Sequence, residues 1–204
     1  MRPLHLALVW HLHQPYYKDD LTDTYLLPWV RLRASKDYRK MAALLSAYPR
    51  LRQTFNLVPS LLTQSNDHAG GRLKDLFGDL SRKPASELGA EEQTFILKWM
   101  REPARFLRVQ ASPRYAELAR RGLTDAFSVD ELRDLQVWYN LAWCDPAWVE
   151  HDPALSALKA KDRLFSEQDK QVLFEAQMRA VARLASSYST ASRSGAAVSE
   201  TPPP

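Results

Sequence analysis

Apolar residues dominate the start of the chain: Leu4, Leu6, Ala7, Leu8, Val9, Trp10 and Leu12 follow one another almost without interruption before Pro15. A short apolar run closed by a proline predicts a strand, because proline cannot extend a sheet ladder. Side chains alternate along a strand, so His11 and His13 share one face and Leu12 takes the other. The pattern then changes. Tyr16 to Leu27 reads as an aromatic, acidic loop, and Tyr38, Met41, Ala42, Leu45 and Tyr48 recur three and four apart. That spacing predicts a helix with Ser35 as its cap and Pro49 as its stop. Thr54 to Val58 reads as a second apolar strand ended by Pro59, and Ser60-Leu61-Leu62 opens another helix. Strand, loop, helix, strand and helix in that order argue for an α/β fold with a parallel sheet. In such folds ligands gather at the carboxyl ends of the strands, where His11, His13 and Gln14 stand.

From about Asp67 to Leu164 the periodicity is helical, broken at Pro84, Pro103, Pro113, Pro146 and Pro153, with no segment that reads as a strand. Ser128 stands three residues before Glu131 in a capping-box arrangement, opening a helix that carries Leu132, Leu135, Trp138, Tyr139 and Leu141. Ser166 and Asp169 open a long amphipathic helix predicted to reach about Tyr188. Gly195 to Thr201 has the character of a third strand's beginning. Two or three parallel strands with a long helical insertion are an unusual complete domain, since parallel sheets are normally covered on both faces. Residues 1–185 are therefore read as the amino-terminal part of a larger catalytic domain, and 186–204 as a divergent, disordered tail.

Composition narrows the class. With 204 residues, 45% hydrophobic and 25% charged, the chain has material for one substantial core. The net charge of +4 comes from arginines scattered along helical stretches, which argues against a nucleic-acid footprint. The first apolar run is short, contains His5 and lacks a small-residue cleavage site, so it is read as a buried strand, and no later run is long enough to span a membrane. Cys144 is the single cysteine, which leaves no disulfide framework or thiolate zinc cluster within the chain; the cytoplasm is the expected compartment.

Two histidines on one strand face carry two chemical readings. Imidazoles two residues apart can ligate one metal ion, although His5, His68 and His151 have no spacing that identifies a further ligand. Alternatively His11, His13 and Gln14 hydrogen-bond a polyhydroxylated substrate, with Trp10, Tyr16, Tyr17 and Trp29 offering aromatic faces. A packing role for one of the histidines stays open beside both. Asn56, at the end of the second strand, can reach the same sheet edge. Asp19, Asp20 and Asp23 read as turn acids, Glu131 and Asp134 as a surface pair, Trp138, Trp143 and Trp148 as core, and Cys144 as a buried small hydrophobe.

The run from Leu4 to Tyr17, centred on His11-Leu12-His13-Gln14-Pro15, resembles the first conserved region of glycoside hydrolase family 57, whose members include α-amylases, amylopullulanases and 4-α-glucanotransferases. The resemblance continues through Tyr25 to Leu32, Lys36-Asp37-Tyr38, Thr54 to Leu62 and Asp134 to Trp143, and covers residue 4 to about 184. It implies an incomplete β/α barrel of seven strands and retaining cleavage of α-glucosidic bonds, for which two carboxylates about 5 to 5.5 Å apart are needed. It also implies that the histidine region binds the sugar next to the cleaved bond, with both carboxylates on later strands. No catalytic residue is therefore expected within these 204 residues. The expected substrate sites are His11, His13, Gln14, Trp29 and Asn56, with no cofactor or metal and an α-glucan or maltooligosaccharide as partner. Self-association through exposed strand edges is expected, and a chain inactive alone. Arg33 departs from the histidine that many relatives of this subgroup carry, and Ala185 to Ala197 departs from the usual pattern. The alternatives are a metal-dependent, deacetylase-like hydrolase using His11 and His13, or a non-catalytic carbohydrate-binding protein.

Overall fold

The computed structural model describes residues 4–48, 50–70, 74–102, 112–184 and 197–200. In chain order the strands are β1 (Val9–Leu12), β2 (Lys18–Asp19), β3 (Thr24–Tyr25), β4 (Thr54–Leu57), β5 (Lys74–Asp75) and β6 (Ala197–Glu200). The helices are α1 (Trp29–Arg33), continued by a π turn (Ala34–Tyr38) into α2 (Arg39–Ala47), then α3 (Pro59–Ala69), α4 (Leu76–Arg82), α5 (Ala90–Trp99), α6 (Pro113–Arg120), α7 (Val129–Leu141), α8 (Pro146–His151), α9 (Pro153–Lys161) and α10 (Glu167–Ala182).

The main sheet has the order β1-β4-β6, and both pairings are parallel. Register places Val9 against Thr54, His11 against Asn56 and Leu12 against Leu57. Residues 197–200, expected both as the start of a third strand and as part of a disordered tail, form β6 beside β4. The remainder of the tail, with Thr201 and Pro202, and the expected helix stop at Pro49 lie outside the described residues. The architecture is thus mixed α/β, mostly helical, with a few parallel strands and a long helical excursion between β4 and β6. Among the described residues the sheet is open rather than closed into a barrel.

Alternation gives the sheet two unlike faces. Leu12, Phe55 and Leu57 turn inward onto Val30, Ala34, Tyr38, Ala42, Leu45, Leu61 and Val181. On the other face Val9 is 65% exposed, and His11 is exposed beside half-buried Thr54 and Asn56. This corrects the expectation of a buried first strand: among the described residues β1 has one neighbour in the sheet, and of its four residues only Leu12 is buried.

A second core lies in the helical body, where Leu32, Phe77, Ile96, Met100, Tyr115, Leu118, Leu135, Tyr139, Leu155 and Phe165 pack together. The α7 helix starts at the predicted capping box, in which Ser128 Oγ accepts from the Glu131 amide at 3.2 Å and the Ser128 amide donates to Glu131 Oε2 at 2.8 Å. The Ser166–Asp169 pair caps α10 in the same way. Other expectations change. The helical path begins at Trp29, and Ser35 lies buried inside the π turn, donating its hydroxyl to the Arg31 carbonyl at 3.0 Å rather than capping. The expected loop after β1 contains the β2–β3 hairpin, and β3 pairs in parallel with β5. Asp134 is fully buried, accepting from Arg114 at 2.8 Å and from the Phe165 amide at 3.1 Å, whereas Glu131 keeps a partly exposed pairing with Arg121.

Candidate functional site

The site expected at the strand ends assembles in part. Parallel pairing sets His11 beside Asn56, whose Nδ2 lies 3.1 Å from His11 Nδ1. The His11 and His13 rings stack with centroids 5.6 Å apart and planes 19° from parallel. Both rings are exposed, so this edge offers two imidazoles and one carboxamide to solvent on the uncovered face.

Gln14 faces the opposite way. The alternation that exposes His13 turns the next side chain inward, where Gln14 Nε2 donates to Tyr38 Oη at 2.5 Å in a buried position. The π turn places Tyr38 there. Gln14 thus braces the segment from behind, and its carbonyl accepts from Ser60 Oγ at 2.6 Å. Gln64, fully buried on α3, completes the support: its Nε2 donates to the Pro15 carbonyl at 2.9 Å, and its Oε1 accepts from the Tyr17 amide at 2.9 Å. Sequence reading passed over Ser60 and Gln64. Their signal was an i, i+4 spacing that puts both polar side chains on one side of the helix, toward the unsatisfied backbone that follows a strand ended by proline.

The aromatic residues divide. Trp29 belongs to the helical body, its ring meeting Trp143 edge-on at 5.6 Å, and no ring contact or hydrogen bond joins it to either histidine among the described residues. Trp10 is partly exposed and donates Nε1–H to Gln53 at 2.7 Å, while Tyr16 donates to Asp20 at 2.9 Å. Trp138 and Trp143 are core residues, as expected, and Trp148 packs against that core. Cys144 is buried in the same body, and burial pushes its thiol up to about 12.

The acids near the loop have structural partners. Asp19 accepts from the Leu21 amide at 3.1 Å and from Thr22 Oγ1 at 2.6 Å, and Asp23 pairs with Lys18 at 2.6 Å. No group of three or more His, Cys, Asp or Glu side chains is placed to hold a metal ion among the described residues. His68 is buried, His151 Nδ1 lies 2.6 Å from the Ala147 carbonyl, and neither joins the strand pair.

Behind the sheet lies a buried polar network. Arg31, 0% exposed, donates from Nε to Asp75 at 2.8 Å and from Nη1 to Asn140 at 2.7 Å and Gln177 at 2.9 Å. Asp75 also caps α4 by accepting from the Gly78 amide at 3.0 Å; a Cβ at Gly78 would stand 2.8 Å from the Asp75 carboxylate, so the close approach needs glycine. Burial alone would raise the Asp75 carboxyl, but Arg31 and the Gly78 amide more than reverse this and hold it below the usual carboxylate range.

A parallel β/α/β arrangement with a polar cluster at the strand ends, followed by a large helical body, defines a mixed α/β protein. The particular family follows from the sequence match: the chain fits the model of glycosyl hydrolase family 57 over residues 7–178 and belongs to that family. No curated protein and no solved structure gives a significant match to the chain. Membership makes this a glycoside hydrolase or transglycosylase of a family that acts on α-glucans. No helix among the described residues is long and apolar enough to cross a membrane.

Proposed function

We propose that the chain supplies one wall of an α-glucan subsite, with His11, His13 and Asn56 as the ligand-facing groups and Gln14 as their support. The observation that carries this reading is the stacked His11–His13 pair, exposed beside Asn56 on the uncovered sheet face. Trp29, expected in the same wall, is assigned to helical packing instead. Retaining cleavage requires two carboxylates about 5 to 5.5 Å apart across the bond. The buried acids here are engaged elsewhere: Asp75 with Arg31, Asp134 with Arg114, and Asp145 with Lys40 at 3.3 Å and with the cap of α8. On this reading the chain's part is binding, and none of its buried described acids serves as a catalytic carboxylate. A lone buried thiol suits the reducing cytoplasm.

The purified chain is expected to leave maltoheptaose and amylopectin uncut and untransferred over hours, as read by chromatography of the products. Maltoheptaose at millimolar concentration is expected to move the His11 and His13 ring resonances, with His13→Ala abolishing the His11 response. Glucan cleavage by the chain alone, or unmoved histidines, would sink the reading.

The same exposed edge bears on solubility. We also propose that β1 self-associates, because its outer edge is unpaired among the described residues and Leu4, Leu6, Val9 and Trp10 are exposed on or beside it, which makes it a template for pairing. Light scattering after size exclusion is expected to show mass rising with concentration, and Val9→Lys is expected to suppress it. A concentration-independent monomer mass for the native chain would refute the idea.

A further inference from the structure

Parallel pairing brings one amide against one imidazole nitrogen, and that contact has a chemical direction. The atom of Asn56 that approaches His11 Nδ1, at 3.1 Å, is Nδ2. A carboxamide nitrogen carries protons and has no lone pair to accept with, so the bond exists only when Nδ1 is bare and accepts. A neutral imidazole with Nδ1 bare carries its proton on Nε2. We propose that Asn56 is a positioning residue that fixes His11 as the Nε2–H tautomer, so that the ring meets the glucan solely as a hydrogen-bond donor. The ligand half of this statement rests on the α-glucan reading above; the tautomer half rests on the β1–β4 register and on the Asn56 amide nitrogen that faces His11 Nδ1.

The neighbouring ring is different. His13 stacks on His11 at 5.6 Å but makes no hydrogen bond to another described residue, so nothing dictates which of its nitrogens holds the proton. The pair therefore combines a fixed donor with an adaptable ring. A sugar hydroxyl both accepts and donates. It can accept from His11 Nε2–H while donating to whichever bare nitrogen His13 presents, and neighbouring hydroxyls of one residue can share the two roles. A divalent cation needs a free imidazole lone pair, at Nε2 or at Nδ1. With Nε2 protonated and Nδ1 taken by the Asn56 amide, His11 offers neither, so the side chain across the register selects polyol over metal.

Nitrogen-resolved imidazole spectra of the full chain, recorded at pH about 8 where an ordinary imidazole is neutral, test the assignment. Native His11 is expected to give the Nε2–H pattern. Asn56→Asp is expected to switch it to the Nδ1–H pattern, because a carboxylate can only accept, and Asn56→Ala to give an averaged pattern; His13 stays unmoved in both. An Nδ1–H pattern in the native chain, or one unchanged His11 pattern across all three proteins, would overturn the proposal. The native spectrum decides by itself if a variant fails to fold. Addition of maltoheptaose then separates the two halves. Shifts at both rings support the proposal in full, whereas an Nε2–H pattern with no response to the sugar removes the glucan reading and leaves the tautomer standing.

Discussion

Replacing Arg31 with methionine is expected to lower stability by about 3 to 5 kcal/mol, the range for removing one partner of a buried ion pair. The size of the effect follows from what is left behind. Asp75, almost fully buried, would keep its charge with only the Gly78 amide to offset it, and the side-chain oxygens of Asn140 and Gln177 would lose their donor. Arg31 sits where α1, the start of α4, α7 and α10 meet, so no rearrangement within one element can replace it. Urea unfolding followed by circular dichroism measures the loss directly. The double variant Arg31→Met, Asp75→Leu is expected to recover most of it, since apolar pairs often substitute well for buried ion pairs. A single variant within about 1 kcal/mol of the native chain, the scale of an exposed pair, would show that the network contributes little.

Acid is expected to destabilise the protein through His68. Its ring is 1% exposed on α3, lies tilted against Tyr25 with centroids 4.7 Å apart, and has an Nε2 with no partner among the described residues; Asp67 on its own helix, Asp75 on β5 and Arg31 on α1 are the charged groups around it. Burial lowers its pKa from 6.5 to about 4, helped by Arg31 and opposed by Asp75 and Asp67. Between those two values the unfolded chain binds a proton that the folded chain refuses. Stability is therefore complete above pH 6.5 and drains away as pH falls toward about 4, by about 3 kcal/mol in all. The lowered Asp75 carboxyl acts in the same direction, at lower pH. Urea midpoints measured from neutral pH down to about pH 4.5 should fall for the native chain and run flatter for His68→Gln. Parallel curves for the two proteins would rule out His68 as the source.

The strand pair and the shared face of its histidines were legible because two short apolar runs ended in prolines and one of them carried histidines in alternation. The same alternation places Gln14 on the inner face, but its destination depended on Tyr38, whose position comes from a π turn that three-and-four spacing does not reveal. Trp29 was drawn toward the site by its aromatic character, although a helix that starts directly after Pro28 commits it to the helical body. Asp134 looked like a surface acid because its buried partner, Arg114, is twenty residues away in sequence on another helix. The two-residue strands β2, β3 and β5 are too short to imprint any period. β6 was legible only in part: Gly195 to Thr201 read as a strand's beginning, yet the same residues also fell within the expected disordered tail.

The α10 helix reaches across both cores. Leu173 and Ala176 lie in the helical body, while Val181, two turns on, is packed with Leu57 and Leu61 under the sheet. Sixteen residues of helix make a stiff rod about 24 Å long. One rod thus staples the two cores together, so the sheet that carries Asn56 and the helical body share a single packed element.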